Sequence, residues 1–541
     1  MTTSASPNEA SIDVRRANDG PVKALLRLTE TAQFLRSTDG RVHARVSIGG
    51  RPEIFALRSP EFRDWLIDGY SRTCGETPSD WSIRRVLARL EANARFQSDT
   101  SSVFIRVGHD GDANANANGN GNGSVFYLDL ADPSGQAVKI GPDGWSVVNN
   151  PHVNFRRPDG HLPLPTPSRE GAIELLRPYV NVIDRDFTLL VVWMAAALRP
   201  VGPYPVLALY GETGSAKTTT AKVVRLLIDP QATPMFAQPQ NTRDLMAAAV
   251  NGWLLACDNI SAIPDWLSDG LCMLSTAGAF AGHAPFTDGQ RRVIHAQRPV
   301  ILTGVEEFVR RGDLGDRSIF LDLPPIAPSD RRLETEFWAS FHQDYPRILG
   351  GLLDAVVGGL RELPSLRLTE LPRMADFAAF AEAIGRSLGL PPDTVLSNYN
   401  ENRQEAAMAH LEDSPLAAIL LENALDLDGW FGTPSKLLDL LTSLAGRAAA
   451  ASPRWPKSPT WLAIELRRIA PQLRLHGILV RSARGNRGRI LSIQRDHSVD
   501  RKNHDMRNFM ADEQLRREPN NTPEESRHAQ VQVCQEVGEM L

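Results

Sequence analysis

The sequence predicts a multidomain α/β protein: a phosphate-loop core followed by a helical segment, preceded by a small α+β domain and followed by a winged-helix unit. Three observations carry this. The apolar run Val206–Tyr210 leads straight into Gly211-Glu-Thr-Gly-Ser-Ala-Lys217-Thr218 and then into helical text. Two further apolar runs, Trp253–Cys257 and Val300–Thr303, each end on polar residues, as buried parallel strands do when they open onto a site. A strongly basic segment, 430–495, reads as helices followed by a Gly-containing hairpin.

Composition sets the limits. At 541 residues the chain is long enough for about three or four folding units. Hydrophobic residues at 42% and charged residues at 23% are ordinary globular usage, which excludes a wholly disordered chain. A formal net charge of −5 excludes a uniformly basic nucleic-acid coat protein but not a local basic patch. Cys74, Cys257, Cys272 and Cys534 are scattered with no CxxC pair, so neither a disulfide scaffold nor a zinc finger is expected. The twelve histidines form no HExxH, no apolar run reaches membrane-spanning length, and the N-terminus lacks an apolar signal core. A cytoplasmic protein with no membrane partner is expected.

Along the chain, residues 1–20 read as a disordered N-terminus and 21–150 as an accessory α+β domain. Its strands are Val42–Ile48, Val103–Val107, Val125–Leu130 and Ala137–Ile140, interrupted by one helix, Ser82–Phe96. The Asn/Gly-alternating tract His109–Ser124 has nothing to bury and reads as a hairpin tip. Tyr127-Leu-Asp129-Leu-Ala-Asp132 reads as a strand ending in two surface aspartates rather than a two-metal site. Pro-rich residues 151–169 read as a linker, 170–330 as the core, 331–425 as helices and 496–541 as a disordered tail. Phe187–Leu198 reads as a buried helix.

The loop Gly211, Glu212, Thr213, Gly214, Ser215, Ala216, Lys217, Thr218, Thr219 sits between a strand and a helix, the context a Walker A motif requires. Its backbone N–H groups and the helix N-terminus would cradle the phosphates of ATP, Lys217 would add charge, and Thr218 would hold Mg²⁺. Ala216 stands where glycine is usual, a spelling that also resembles the phosphate loop of minichromosome-maintenance helicases. A right-handed backbone is expected there, where a methyl is tolerated. Asp258, at the end of the second run, suits a Walker B aspartate that holds Mg²⁺ through a water, with Asn259 after it. Thr303, ending the third run, suits contact with the γ-phosphate or the attacking water. Arg317 precedes one more strand, in Gly315-Asp-Arg-Ser-Ile-Phe-Leu-Asp-Leu323. Between the second and third runs, Asp288-Gly289 marks a hairpin turn carrying Phe286, Arg291 and Arg292.

This ordered set resembles the superfamily III helicase-like ATPases of the AAA+ class found in phages, plasmids and integrative elements. The phrases LLRPYVNV, YPVLALYGETGSAKTTT, NGWLLACDN and RPVILTG are similar to ATP-binding proteins of bacterial mobile elements, and the likeness covers Glu170 to Gln494. It implies an AAA+ core with a helical lid, Mg·ATP as cofactor, and a homo-oligomeric, hexameric ring. It also implies Arg317 acting on a neighbour's ATP, and a pore hairpin in which Phe286 stacks on a base while Arg291 and Arg292 meet phosphates. A solvated hairpin is the plainer alternative. The family commonly has a second acid where this chain has Asn259, and asparagine where it has Thr303. Glu212, Glu306 or Glu307 is then left to supply a base. Arg347 reads as an exposed helix arginine rather than a second sensor.

In 430–495, Ser458 and Pro459 open a helix with Leu462, Leu466, Ile469 and Leu473 on one side, which Pro471 is expected to break. From Ser452 to Arg495 there are ten Lys/Arg against one acid, Glu465. Arg467, Arg468, Arg474, Arg484, Arg487 and Arg489 therefore suit a DNA backbone, with a solubilising basic face as the alternative. The expected function is an ATP-dependent motor on single-stranded or forked DNA, the replicative helicase of a mobile element. A slow ATP-dependent DNA-binding switch remains a second reading. A kinase sharing only the phosphate loop is a third, against which the motif order and basic unit argue.

Overall fold

The structure is a computed structural model that describes residues 20–37, 39–98, 100–109, 125–276, 278–283, 291–305, 307–309, 311–369, 371–412, 414–452, 454–485 and 488–496. The expectations for residues 1–19, 110–124 and 497–541 lie outside them. The chain divides into two compact units, Met1–Ala406 and Ala407–Leu541.

The centre of the first unit is a four-stranded parallel sheet in the order Leu255–Cys257, Val300–Thr303, Val206–Tyr210, Ser318–Asp322. Side chains alternate across it. Leu207, Leu209, Ala256, Ile301, Ile319 and Leu321 face one core, while Val206, Ala208, Leu255, Cys257, Val300 and Leu302 face another. Burial on both faces explains why these strands read as unbroken apolar runs. Helices Asp184–Ala197 and Lys217–Ile228 contribute to the first core, and Thr242–Asn251 and Asp265–Ser275 to the second. Helix Asp184–Ala197 is buried along nearly its whole length.

The helices after the sheet are part of this first core. Glu334–Glu362 runs continuously through Pro346, burying Ile348, Leu349, Leu352, Val356 and Leu360 beside helix Asp184–Ala197. Ala375–Ser387 packs along it.

The N-terminal residues form two bodies rather than one. Helices Pro21–Leu28, Pro60–Cys74 and Asp80–Gln97 pack with an antiparallel sheet (Gln33–Arg36, Val42–Ile48, Arg51–Ala56) around their own core. Three helices are present where one was expected. The meander Val107–His109, Phe126–Asp129, Gln136–Gly141, Gly144–Asn149 instead buries Val107, Leu128, Val138 and Ile140 in the same core as the central sheet.

The segment 151–169 is not a free linker. Its backbone is laced to the unit by Leu162 N–H to Pro230 O, Leu164 N–H to Leu130 O and Ser168 N–H to Pro346 O. Asp129 is buried and forked by Arg157 at 2.7 and 2.8 Å, so it is not a surface residue. Asp132 accepts the backbone N–H groups of Ser134 and Gln136 in a turn.

A fully buried ion pair joins these parts. Arg106 donates to Asp229 at 3.0 Å and to the carbonyls of Asp129, Leu162 and Pro230. The other Asp229 oxygen accepts the backbone N–H groups of Trp253 and Leu254 at 3.0 and 3.2 Å. Such saturation is what makes a buried charge tolerable. His161 lies 3.7 Å from Asp229, with neither ring nitrogen hydrogen-bonded.

In the second unit, helices Pro415–Glu422, Pro434–Ala451 and Pro459–Leu475 pack with a three-stranded sheet ordered Trp430–Gly432, Gly488–Arg495, Ile478–Gly485. Helix Pro415–Glu422 belongs to this core through Leu416 and Leu420, not to the preceding helical stretch. Helix Pro459–Leu475 continues through Pro471 unbroken, with Leu462, Leu466, Ile469 and Leu473 buried. Pro434–Ala451 is instead kinked at Gly446, whose φ of 70° only glycine adopts readily.

Burial, reinforced by Arg106 and Arg156 and opposed by Asp229 and Asp129, pushes the His161 imidazole down to about 4. The unfolded chain therefore binds a proton near pH 6.5 that the folded chain refuses, so stability falls as pH drops from 6.5 towards 4. Burial pushes the Asp186 carboxyl up to about 6, which acts in the opposite sense. The readout is thus the difference between wild type and His161→Gln in denaturant unfolding at pH 7 and pH 5. The variant should lose up to about 1.4 kcal/mol per pH unit of acid sensitivity.

Candidate functional site

The site lies where the parallel strands end. Tyr210 closes its strand and Gly211 begins the phosphate loop with φ +142°. A Cβ there would sit 2.5 Å from the Leu323 carbonyl and 2.7 Å from Ser215 Oγ, so the turn requires glycine on both counts. Gly214 follows with φ +89°. Ala216 is also left-handed, at φ +61° and ψ +28°, contrary to the right-handed backbone expected for it. The turn into the helix sets that sign, and a non-glycine residue there carries roughly 1–2 kcal/mol of strain.

Glu212, Thr213 and Gly214 are exposed, Ser215 is buried, and Lys217, Thr218 and Thr219 are half-buried along the rim. Ser215 Oγ donates to the Glu212 carbonyl at 2.9 Å. Lys217 Nζ donates to the Gly211 and Glu212 carbonyls at 2.7 and 2.6 Å. Burial holds its ammonium below the usual lysine range, opposed by the charges of Asp258 and Asp322.

Asp258 is the hub. The Thr218 hydroxyl lies 3.0 and 3.2 Å from its two carboxylate oxygens, and the Thr303 hydroxyl donates to one of them. Thr303 Oγ1 also accepts the Asn259 N–H at 3.1 Å. The strand Val300–Thr303 lies between the other two, which is why Thr303 falls beside Asp258. Asn259 has φ +57°, a conformation asparagine tolerates better than most residues.

Arg317 is elsewhere. Its carbonyl accepts Val206 N–H at the start of the phosphate-loop strand, the end opposite Gly211. Its guanidinium donates to the Asp313 carbonyl at 2.8 Å. Arg347 faces the Glu170 carbonyl at 3.5 Å. The expected hairpin is present as strands Ala279–His283 and Arg291–His295, with Arg291 opposite His283 and Arg292 opposite Gly282. Phe286, Asp288 and Gly289 lie outside the described residues, as do Glu306 and Arg487.

Three residues at the site were not anticipated. Asn181 donates to the Ser215 carbonyl at 3.0 Å and the Pro324 carbonyl at 2.6 Å, tying the loop to the chain leaving the sheet. Asp322 ends the strand beside Tyr210, just as Asp258 and Thr303 end theirs, a repetition the sequence does display. Arg331 brings Nη2 to 3.9 Å from a Cβ built on Gly214. In the second unit, Arg467, Arg468, Arg474, Arg484 and Arg489 are all exposed, with Arg468 paired to Glu465 at 2.5 Å.

The loop geometry sets an order of tolerance. Gly211→Ala should destabilise the protein by more than about 2 kcal/mol, because backbone must move to admit the methyl. Ala216→Gly should be neutral or stabilising by up to about 1 kcal/mol, since relief of strain is offset by the entropy of a freer unfolded chain. Thermal denaturation of the two variants checks both.

No curated protein matches the chain. Among solved structures, the A-form apo structure of the NrS-1 C-terminal region is similar at 11% identity over 88% of this chain and 100% of that one, with a TM-score of 0.38. A second apo structure of that region gives 11%, 88%, 98% and 0.36. Among the described residues no helix is long and apolar enough to cross a membrane. Residues 173–402 match the family described as actinomycete integrative conjugative element replication protein. Residues 416–527 match the C-terminal domain of the same RepA. The first stretch contains the whole loop and strand-end cluster and the second the basic helix and hairpin; together they mark the chain as a replication protein of a mobile element, similar over these stretches to the RepA of actinomycete integrative conjugative elements.

Proposed function

We propose that this replication protein is an ATP-driven, ring-forming motor that moves along or remodels DNA, the replicative helicase of its element. The observation that carries the reading is the meeting of Thr218, Asp258 and Thr303 beside a strand–loop–helix phosphate cradle. The fold supports an AAA+-type core, and the second unit, with three helices and a three-stranded sheet, supports a winged helix.

Mg²⁺ fits here: a hydroxyl and a carboxylate stand 3.0 Å apart, the hard oxygen donors the ion prefers, with nucleotide phosphates to complete the shell. Among the described residues no group of three or more His, Cys, Asp or Glu offers a competing site. When bound, the ion neutralises charge on the β- and γ-phosphates. The loop's backbone N–H groups orient the triphosphate, and Lys217 supplies a cation. Thr303 holds the Asp258 carboxylate and positions the γ-phosphate or the attacking water. Arg317, a strand's length of roughly 16 Å from its own loop, acts on the ATP of the neighbouring protomer. Arg291, Arg292 and Phe286 grip DNA, and the basic residues of the second unit hold its backbone.

A second reading, a slow ATP-dependent DNA-binding switch, is favoured by Asn259, which orients water but cannot take its proton. Strand displacement on forked DNA separates the two: a motor releases the strand with ATP, whereas a switch binds the fork and releases nothing.

Lys217→Ala should abolish ATP turnover while leaving DNA binding in place. Arg317→Ala should leave ATP binding intact and lower turnover on the order of 10³-fold. Mixing the two inactive variants should restore part of the activity, because some interfaces then pair an intact loop with an intact arginine. Normal turnover by Arg317→Ala alone contradicts a trans-acting arginine.

A further inference from the structure

We infer that the exposed face of helix Asp80–Gln97 is a second nucleic-acid site, one that takes single-stranded rather than duplex chains. The helix starts cleanly at Ser79, whose side chain accepts Ser82 N–H, and buries Ile83, Val86, Leu90 and Ala94 against the N-terminal sheet. The opposite face keeps what such a helix ordinarily hides. Trp81 is 61% exposed and Phe96 89% exposed. Fifteen residues separate them, about 22 Å along the axis, and helical spacing brings them to one face with Arg84, Arg85 and Arg89.

The charge on that face is uncompensated. Asp80 is paired to Arg63, and Glu91 to both Arg58 and Arg95. Arg84, Arg85 and Arg89 have no hydrogen bond or carboxylate partner among the described residues. Arg85 instead lies over the Trp81 ring, 4.6 Å from its centroid. Between the aromatic ends lie the exposed small residues Ala88 and Ala92, a low floor flanked by guanidinium groups.

Cations that match a phosphate backbone, with rings free to stack, form the pattern that binds unpaired bases. A duplex keeps its base faces stacked inside and leaves such rings without a partner. A lipid surface would need a continuous apolar stripe, and arginines interrupt this one. The face is independent of the phosphate loop, so the inference stands or falls apart from the ATPase reading.

The test is fluorescence anisotropy of labelled oligo(dT) and oligo(U), a hairpin duplex and anionic phosphatidylserine vesicles, using the full chain. The variants are Trp81→Ala and the triple Arg84→Glu, Arg85→Glu, Arg89→Glu. Trp81→Ala should weaken binding to at least one single-stranded oligomer by about fivefold or more, the low end for one lost stack. Trp81→Phe should recover most of it. The triple variant should lower both the affinity and its salt dependence. Duplex binding should stay unchanged. Unchanged affinity for both oligomers in both variants overturns the inference. So does an equal loss on duplex, or vesicle binding that these variants abolish.

Discussion

Two carboxylates at opposite ends of one helix set the geometry on which the site depends. Helix Lys217–Ile228 leaves the phosphate loop and runs back along the sheet. At its far end Asp229 accepts the backbone N–H groups of Trp253 and Leu254, just before the strand Leu255–Cys257. At its near end Thr218 meets Asp258, the residue after that strand. Helix and strand are thereby fastened together twice, and the distance from the loop to Asp258 is fixed by hydrogen bonds rather than by apolar packing alone. Asp229 can remain charged and buried only because Arg106 faces it, and Arg106 comes from the N-terminal meander. Burial raises its carboxyl and the charges of Arg106, His161 and Arg225 more than offset this, leaving it below the usual carboxylate range. A sheet far from the loop in sequence is in this way part of what holds the loop's helix in place.

Legibility in the sequence followed burial. The central strands are covered on both faces, so each appears as an uninterrupted apolar run, and the polar residues that end them mark the site. The same logic exposed helix Asp184–Ala197 and the apolar side of Pro459–Leu475. What escaped notice was structure carried by backbone. Residues 151–169 are rich in proline and read as a linker, yet Leu162, Leu164 and Ser168 are held through main-chain N–H groups that any residue offers. The left-handed turn at Ala216 is hidden for the same reason: its sign is imposed by the loop, while alanine suggests the opposite. Pro471 misled in the other direction, since helix Pro459–Leu475 continues through it. Asn181 and Arg331 reach the loop from segments whose local text says nothing of phosphate.

The departures at Asn259 and Thr303 acquire a physical context together. Asn259 adopts a left-handed backbone and gives its N–H to the Thr303 hydroxyl, whose proton goes to Asp258. The two positions form one hydrogen-bonded chain from strand to strand. A threonine serves as both acceptor and donor in that chain with a single short side chain. The pair therefore organises the Asp258 carboxylate, and the charge of Asp322 acts with that of Asp258 on Lys217.

The central claim is that triphosphate binds this loop at a junction between identical protomers. Cryo-electron microscopy of the full chain with Mg²⁺, a nonhydrolysable ATP analogue and forked DNA tests it most directly. The account predicts a closed ring with the analogue's phosphates on residues 211–219, Asp258 beside them and a neighbour's Arg317 across the interface. Single protomers, or nucleotide seated away from this loop, would contradict it.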